Sequence, residues 1–398
     1  MTDHPAAGPL AGVRVVELAG IGPGPLAGML LADLGAEVIL VDRPGGARIP
    51  LPVRSDVTSR GKRRIVVDLK HPRGAEVVRR LAAGSDALIE GYRPGVAERL
   101  GVGPADCLAG NPALVYGRMT GWGQDGPLAQ TAGHDIAYIA VTGALGAIGR
   151  AGGPPQVPVN YLGDFAGGSM FLALGLVAGI LQARQNGRGS VVDAAIVDGT
   201  AVLQAMTYGL LADGAWTDKR GVNFLDTGAP YYDVYQTADG RHMAVGALEP
   251  QFYAEFTRVL FAPDGVPADL PPQHDQARWP ELRQRFAARF AELSQQEWTK
   301  RFSRTDSCVA PVLSLREAPG DPHLAARGTY VTVDGVLQPA PAPRFAALSD
   351  SGPSGSGPVS AGPPGRIAEM GEHTREVLIA RGFTDADELC AEGAVWQA

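Results

Sequence analysis

His134 and Asp135 are adjacent in TAGHDIAYIA, at the head of an otherwise apolar run. An ionisable pair entering a hydrophobic stretch either caps an element at the surface or is held in a pocket for proton transfer. Two more carboxylates have comparable settings: Asp164 in NYLGDFAGGSM, just ahead of a long apolar run, and Glu249 in VGALEPQFY, just ahead of a proline. Histidine and carboxylate side chains readily take and return protons near neutral pH. Each also has a purely structural reading, as a satisfied core histidine, a helix cap or a turn residue. Spacing alone does not bring them together.

A second constellation is basic: Arg43, then Arg60, Lys62, Arg63 and Arg64 in SRGKRRIVVD, then Arg93 in GYRPG. These residues border successive strand-like runs, and in a parallel sheet such loops converge at one edge. That edge would suit a phosphorylated ligand held by charge-assisted bonds, with a solvated basic face as the alternative. The turn AGIGPGPLAG places Gly20, Gly22 and Gly24 before a helix, and Asp42 follows about twenty residues on, the outline of a nicotinamide-dinucleotide site. The spacing is not GxGxxG, Pro23 and Pro25 interrupt it, and Arg43 follows Asp42 directly. The turn therefore reads as a tight strand-to-helix connection.

The elements that must position these side chains follow from periodicity. Residues 13 to 17, 24 to 34 and 37 to 41 read as strand, helix and strand, a β-α-β unit. Apolar runs IVVD, ALI and LVY continue the pattern at 65–68, 87–89 and 114–116, so the fold class is α/β, with a largely parallel sheet and helices on its faces. An apolar helix is expected at about 165 to 185, followed by a strand-like and then helical run. From about 222 the texture changes: APYYDVYQTADGRHMAVGAL carries two strand patterns joined by Ala-Asp-Gly, a hairpin signal, and helical segments then run to about 305. The expected organisation is a large domain from 1 to 200, a linker at 201–224, a small α+β domain at 225–310, a return linker at 311–335, a mobile Pro/Gly/Ser-rich connector at 336–366, and a helical return to the large domain at 367–398.

Bulk properties narrow the function classes. A formal charge of −7, from 35 basic and 42 acidic residues, argues against a nucleic-acid partner and leaves no basic footprint for a membrane surface. Cys107, Cys308 and Cys390 lie far apart, with neither zinc-ligand nor disulfide spacing, and no metal constellation is evident. The stretch MTDHPAAGPLAGVRVV does not read as a signal peptide, and the expected setting is cytoplasmic. Residues 162 to 182 come nearest to a membrane span but carry an Asp and several glycines, so a buried helix is expected.

At the candidate residues the chain resembles the α-methylacyl-CoA racemases of the family III CoA-transferase superfamily (CaiB/BaiF type). The resemblance runs almost end to end, through GPLAGVRVVELAGIGPGPLAGMLLADLGAEVILVDRP, ALIEGYRPGVAERLGVG, YGRMTGWGQDGPLAQTAGHDIAY, NYLGDFAGGSMFLALG, GAPYYDVYQTADG, VGALEPQFY and CVAPVLSLREA. It implies an interlocked homodimer, with a Rossmann-like large domain, a small domain, and an active site between domains of different subunits. It further implies that His134 and Asp164 are the acid/base residues, that Glu249 supports His134, and that Asp135 lies in the same shell. Arg43, Arg93 and Tyr138 match positions near the CoA moiety, and Arg60 and Arg63 belong to the basic set that would join them. The family's usual Asn after His-Asp-Ile is Ala137 here.

The implied reaction is interconversion of (R)- and (S)-2-methylacyl-CoA thioesters in lipid metabolism. No cofactor is required, because CoA is part of the substrate. An α-proton beside a thioester is acidic because its loss gives an enolate, and racemisation needs one acid/base group on each face of that plane. Backbone N–H groups at the start of the helix after Asp164 are expected to stabilise the enolate oxygen. Met119, Trp122 and Met170 offer either a soft apolar surface for the acyl chain or plain core packing. The alternatives are a family III CoA-transferase with Asp164 as nucleophile, or a related enolate-forming acyl-CoA isomerase.

Overall fold

Why the N-terminal third folds as it does is visible in its strands: RVVEL, EVILVD, RRIVV and ALIE are continuous apolar runs broken by a few charges, the pattern of strands covered on both faces. The computed structural model describes residues 8–46, 56–345 and 364–398. In it β1 (Arg14–Leu18), β2 (Glu37–Asp42), β3 (Arg63–Val67), β4 (Ala87–Glu90), β5 (Val115–Thr120) and β6 (Ser190–Ala195) pair in parallel in the order β3-β2-β1-β4-β5-β6. The order reverses between β1 and β4, so the loops after these two strands leave in opposite directions and open a crevice at their carboxyl ends. Successive residues face opposite layers. Val16, Leu88 and Tyr116 enter one core, and Val15, Ile89 and Val115 enter the other.

The chain divides into two units. The first takes in residues up to Thr142, Val159–Leu203 and everything from His323. The second comprises Gly143–Pro158 and Gln204–Pro322. Residues 143–158, expected in the large domain, belong to the second unit because of tertiary contacts that spacing does not announce. Arg150 pairs with the buried carboxylate of Asp233 at 2.7 Å, and Arg220 donates to the carbonyls of Gly146 and Gly153.

In the first unit the long apolar segment is two kinds of helix in series, a π-helix at Tyr161–Ser169 and an α-helix at Met170–Asn186. By length and composition Tyr161–Asn186 could cross a membrane. The expectation of a buried helix is met on one face only. Leu172, Leu176, Gly179, Ile180 and Ala183 pack inward, while Met170, Leu174, Val177 and Leu181 are exposed at intervals of three to four residues. The C-terminal residues return to the sheet through helices Thr374–Ala380 and Ala386–Ala391. Val377, Leu378, Phe383 and Leu389 join the core, and a two-residue strand, Val395–Trp396, runs antiparallel to β3.

The connector expected at 336–366 is ordered where it begins. Tyr330–Val333 and Val336–Pro339 form an antiparallel hairpin across Asp334-Gly335, whose φ values of 49° and 78° suit the tight turn. Arg60 fastens it by donating to Gln338 Oε1 at 2.8 Å and to the Pro339 carbonyl at 2.6 Å. Residues 346–363 of that connector lie outside the described residues.

In the second unit, Tyr232–Gln236, His242–Gly246 and Val309–Pro311 form an antiparallel three-stranded sheet. The sheet is covered by an aromatic core of Tyr235, Phe256, Phe286, Phe290, Trp298 and Phe302. The hairpin turns at Ala-Asp-Gly, with Gly240 at φ 76° and the Thr237 amide donating to the Arg241 carbonyl at 2.9 Å.

Candidate active site

The crevice at the β1/β4 reversal is a cavity of about 560 Å³ built wholly from the first unit. The turn after β1 and the start of the helix Pro23–Asp33 contribute Gly20 to Pro25, the loop after β4 contributes Gly91 to Pro94, and the β5 end contributes Met119 to Trp122. His134, Tyr138, Asn160 and Asp164 all line it.

His134 is exposed and precedes the helix Asp135–Val141, its backbone extended and its carbonyl accepting the Ala137 amide at 2.8 Å. The next side chain turns inward. Asp135 is buried, and its Oδ2 accepts the backbone N–H of Asp164 at 2.7 Å. Gly163 makes this approach possible, because a Cβ there would lie 2.5 Å from the same oxygen. The other Asp135 oxygen is buried with no hydrogen-bond partner among the described residues.

Asp164 was expected ahead of a helix but lies inside the π-helix, and its own amide is taken by Asp135. That amide is therefore not free to serve as an enolate donor. A π-turn holds one residue more than an α-turn and is commonly found at functional positions. The Asp164 carboxylate accepts from Asn160 Nδ2 at 3.2 Å. Burial raises its pKa above the ordinary value, Asn160 opposes that, the nearby Asp135 charge raises it further, and His134 lowers it. Gly22, at φ 70°, faces the same carboxylate, and a Cβ on it would sit 3.2 Å from Oδ2. A carboxyl with a raised pKa and an exposed imidazole thus share one wall of the cavity.

Tyr138 is buried and packs edge-on against Trp122, ring centroids 4.8 Å apart. Burial raises its pKa, the Asp164 charge adds to this, and Arg93 lowers it. Arg93 lines the cavity and is exposed; Arg43, also exposed, follows β2 and donates to the Gly46 carbonyl at 2.5 Å; burial and the Glu90 charge raise the Tyr92 pKa, and Arg43 partly opposes them. Met119 and Trp122 line the cavity, whereas Met170 is half exposed and is not part of the lining.

The rest of the basic cluster departs from the expected phosphate-binding edge. Arg60 is 1% exposed and paired with Asp33 at 2.5 Å, Lys62 is 2% exposed and paired with Glu17 at 2.6 Å, and Arg64 is paired with Asp42 at 2.8 Å. Arg63 is held by Glu37 at 3.2 Å and Glu376 at 2.7 Å. None of the four lines the cavity. Charges carried into a sheet covered on both faces must find partners there, and acids on neighbouring elements supply them. Asp42, the would-be ribose acid, is spent in the same way. Lys62 still bears on the cavity indirectly, because its ammonium also donates to the Pro25 carbonyl at 2.8 Å and so holds the cavity-lining first turn of the helix Pro23–Asp33.

Glu249 belongs to the second unit, where it is exposed at the start of helix Pro250–Leu260 and its carbonyl accepts the Tyr253 amide at 2.9 Å. Two participants escaped the sequence reading. Asn160 was legible in principle, since it precedes Asp164 by four residues, the spacing of side-chain pairs on one helix face. Gly22 was read only as a turn former.

The chain resembles known proteins along nearly its whole length. It is 43% identical over 382 residues to an α-methylacyl-CoA racemase of Mus musculus, covering 96% of this chain and 95% of that protein. It is 44% identical over 379 residues to an α-methylacyl-CoA racemase of Homo sapiens, covering 94% of each. In fold it resembles the crystal structure of a CAIB/BAIF family protein from Brucella suis, with a TM-score of 0.78, 24% identity, and coverage of 94% of this chain and 99% of that one. The sequence profile of CoA-transferase family III matches residues 10–370, and the chain belongs to that family.

Proposed function

We propose that this protein is an α-methylacyl-CoA racemase, an isomerase that interconverts (R)- and (S)-2-methylacyl-CoA thioesters. The observation that carries the reading is the placement of His134 and Asp164 on the wall of one cavity, with the Asp164 pKa raised. The identity of 43–44% to racemases over nearly the full chain supports it over CoA transfer.

In this reading the thioester α-carbon sits between the imidazole and the carboxyl. One group removes the α-proton, electron density moves from the C–H bond onto the thioester oxygen, and the other group delivers a proton to the opposite face. The roles exchange for the other stereoisomer. A carboxyl whose pKa is raised holds its proton closer to neutral pH and is a better partner for histidine in both directions. The thioester itself delocalises the charge, so the chemistry calls for no metal or organic cofactor. Glu249 is the group we assign to supporting the His134 imidazole.

The same reading includes a homodimer. Its support is the exposed row Met170, Leu174, Val177 and Leu181, an apolar helix face of the kind that association covers. Light scattering should give twice the chain mass of 41.5 kDa, and Leu174→Asp with Leu181→Asp should give a monomer.

The test of function is proton NMR of the protein with each 2-methylacyl-CoA epimer in D₂O. Deuterium at the α-carbon with epimer interconversion, absent in His134→Ala and Asp164→Ala, is the expected result. No exchange, with CoA moving instead to an added free carboxylate, would favour the transferase.

A further inference from the structure

The loop after β4 is hung on a buried carboxylate that the proton transfers do not use. Glu90, the last residue of β4, is 0% exposed. Its Oε2 accepts the Tyr92 backbone N–H at 2.6 Å, and its Oε1 accepts Arg118 Nε at 3.2 Å from the adjacent strand β5. Arg118 reaches on to Glu98 at 2.9 Å, in the short helix Val96–Arg99 that closes the same excursion. The chain from 90 to 98 is therefore clamped at both ends by one acid–base–acid relay, and between the clamps lie Tyr92, Arg93 and Pro94, all cavity-lining.

Among the described residues no side chain pairs with the Arg93 guanidinium. Arg93 is exposed, and its backbone carbonyl accepts the Val96 amide at 3.1 Å. A flexible cation beside a cavity gains affinity for an anionic ligand when its backbone is held in place beforehand. We propose that Glu90 is a positioning residue: by holding the Tyr92 amide it fixes the bend that presents Arg93 to the anionic CoA limb of the substrate. The inference rests on the acyl-CoA reading above and adds to it a residue that governs substrate binding without touching substrate.

Replacing Glu90 with Gln keeps the size but removes the charge and turns an NH₂ towards one of two donors. The bend should loosen while His134 and Asp164 stay in place. The test is calorimetric titration of free CoA into the wild type, Glu90→Gln, Arg93→Ala and the double variant, with steady-state kinetics on the thioester alongside. Glu90→Gln should weaken CoA binding and raise KM about tenfold with kcat within about twofold, and in the Arg93→Ala background it should add less than about twofold, because both changes remove one interaction. Independent losses that multiply, unchanged CoA binding, or a fall in kcat at constant KM would each overturn the role. If Glu90→Gln folds poorly, Glu90→Met with Arg118→Met replaces the buried pair by apolar side chains and still removes the acceptor for the Tyr92 amide; it should give the same KM-only defect, and a normal KM overturns the proposal. Because CoA binding is common to racemases and transferases, failure of the racemase reading alone leaves this result standing. A wild type that binds no CoA sinks both.

Discussion

The Oδ2 of Asp135 accepts the backbone N–H of Asp164 at 2.7 Å, so the residue after the candidate imidazole holds the residue that bears the candidate carboxyl. His134 and Asp164 are thirty residues apart in sequence, and this bond couples their positions. It also places a second negative charge where it makes the Asp164 proton harder to lose.

Asp135→Asn retains an acceptor for the Asp164 amide but removes that charge. The Asp164 pKa should fall, moving the corresponding limb of the kcat/KM profile to lower pH, whereas Asp135→Ala should lose the bond and cost about tenfold or more in kcat. A pH profile that stays in place in Asp135→Asn would show that the two carboxylates do not communicate.

Loss of either acid/base group should be far more severe. His134→Ala and Asp164→Asn are each expected to lower kcat by roughly 10² to 10⁴ while leaving the melting temperature near that of the wild type. Retention of α-proton exchange for one epimer only would assign which group faces which hydrogen.

Gly22→Ala tests the approach of the first loop to Asp164. A side chain at φ 70° is strained, costing about 1 kcal/mol or more, and the new Cβ would press on the carboxylate. Urea denaturation should show the stability loss, and kcat should fall by more than the loss of folded protein explains. Normal kcat would mean that the loop yields without disturbing Asp164.

Breaking a buried pair separates structural from binding roles in the basic cluster. Asp33→Ala leaves the Arg60 guanidinium buried without its partner and should cost about 3–5 kcal/mol, read as a lower urea midpoint. CoA affinity of the folded fraction should be unchanged. Weakened CoA binding with normal stability would return Arg60 to the ligand.

Glu90 gives a pH signature. Burial raises its pKa from 4.5 to about 7, against the opposing pull of the Tyr92 amide and Arg118 and with Glu98 adding to the rise; Tyr92 and Tyr116 also face it. The folded state binds this proton more tightly than the unfolded chain, so the group's contribution to stability is complete below about pH 4.5 and is lost as pH rises through about 7. The stability of the wild type relative to Glu90→Gln should therefore decline across that window by up to about 3 kcal/mol. A flat difference would contradict the assignment.

What sequence reveals here is what is local. The first β-α-β unit is readable because a strand-like apolar run, a glycine turn, a helical run and a second strand-like run follow one another directly. The buried ion pairs are not, since Arg60 meets Asp33 and Arg64 meets Asp42 only once strands are ordered in the sheet, and a run of cations reads as a surface until then. The hairpin at 330–339 obeys the same Asp-Gly rule that revealed the one at 232–246, but proline-rich surroundings masked its short strands. Asp164 and His134 were visible as types in suggestive settings; the π-turn that aims Asp164, and the bond from Asp135, depend on three-dimensional closure.

Two of the segments lining the cavity, the one after β1 and the one after β4, are pinned independently. Lys62 holds the Pro25 carbonyl on one side of the sheet reversal, and Glu90 holds the Tyr92 amide on the other. Neither anchor shares a side chain with the other. In the acyl-CoA reading proposed above, a change confined to one of these segments would therefore leave the anchor of the other intact.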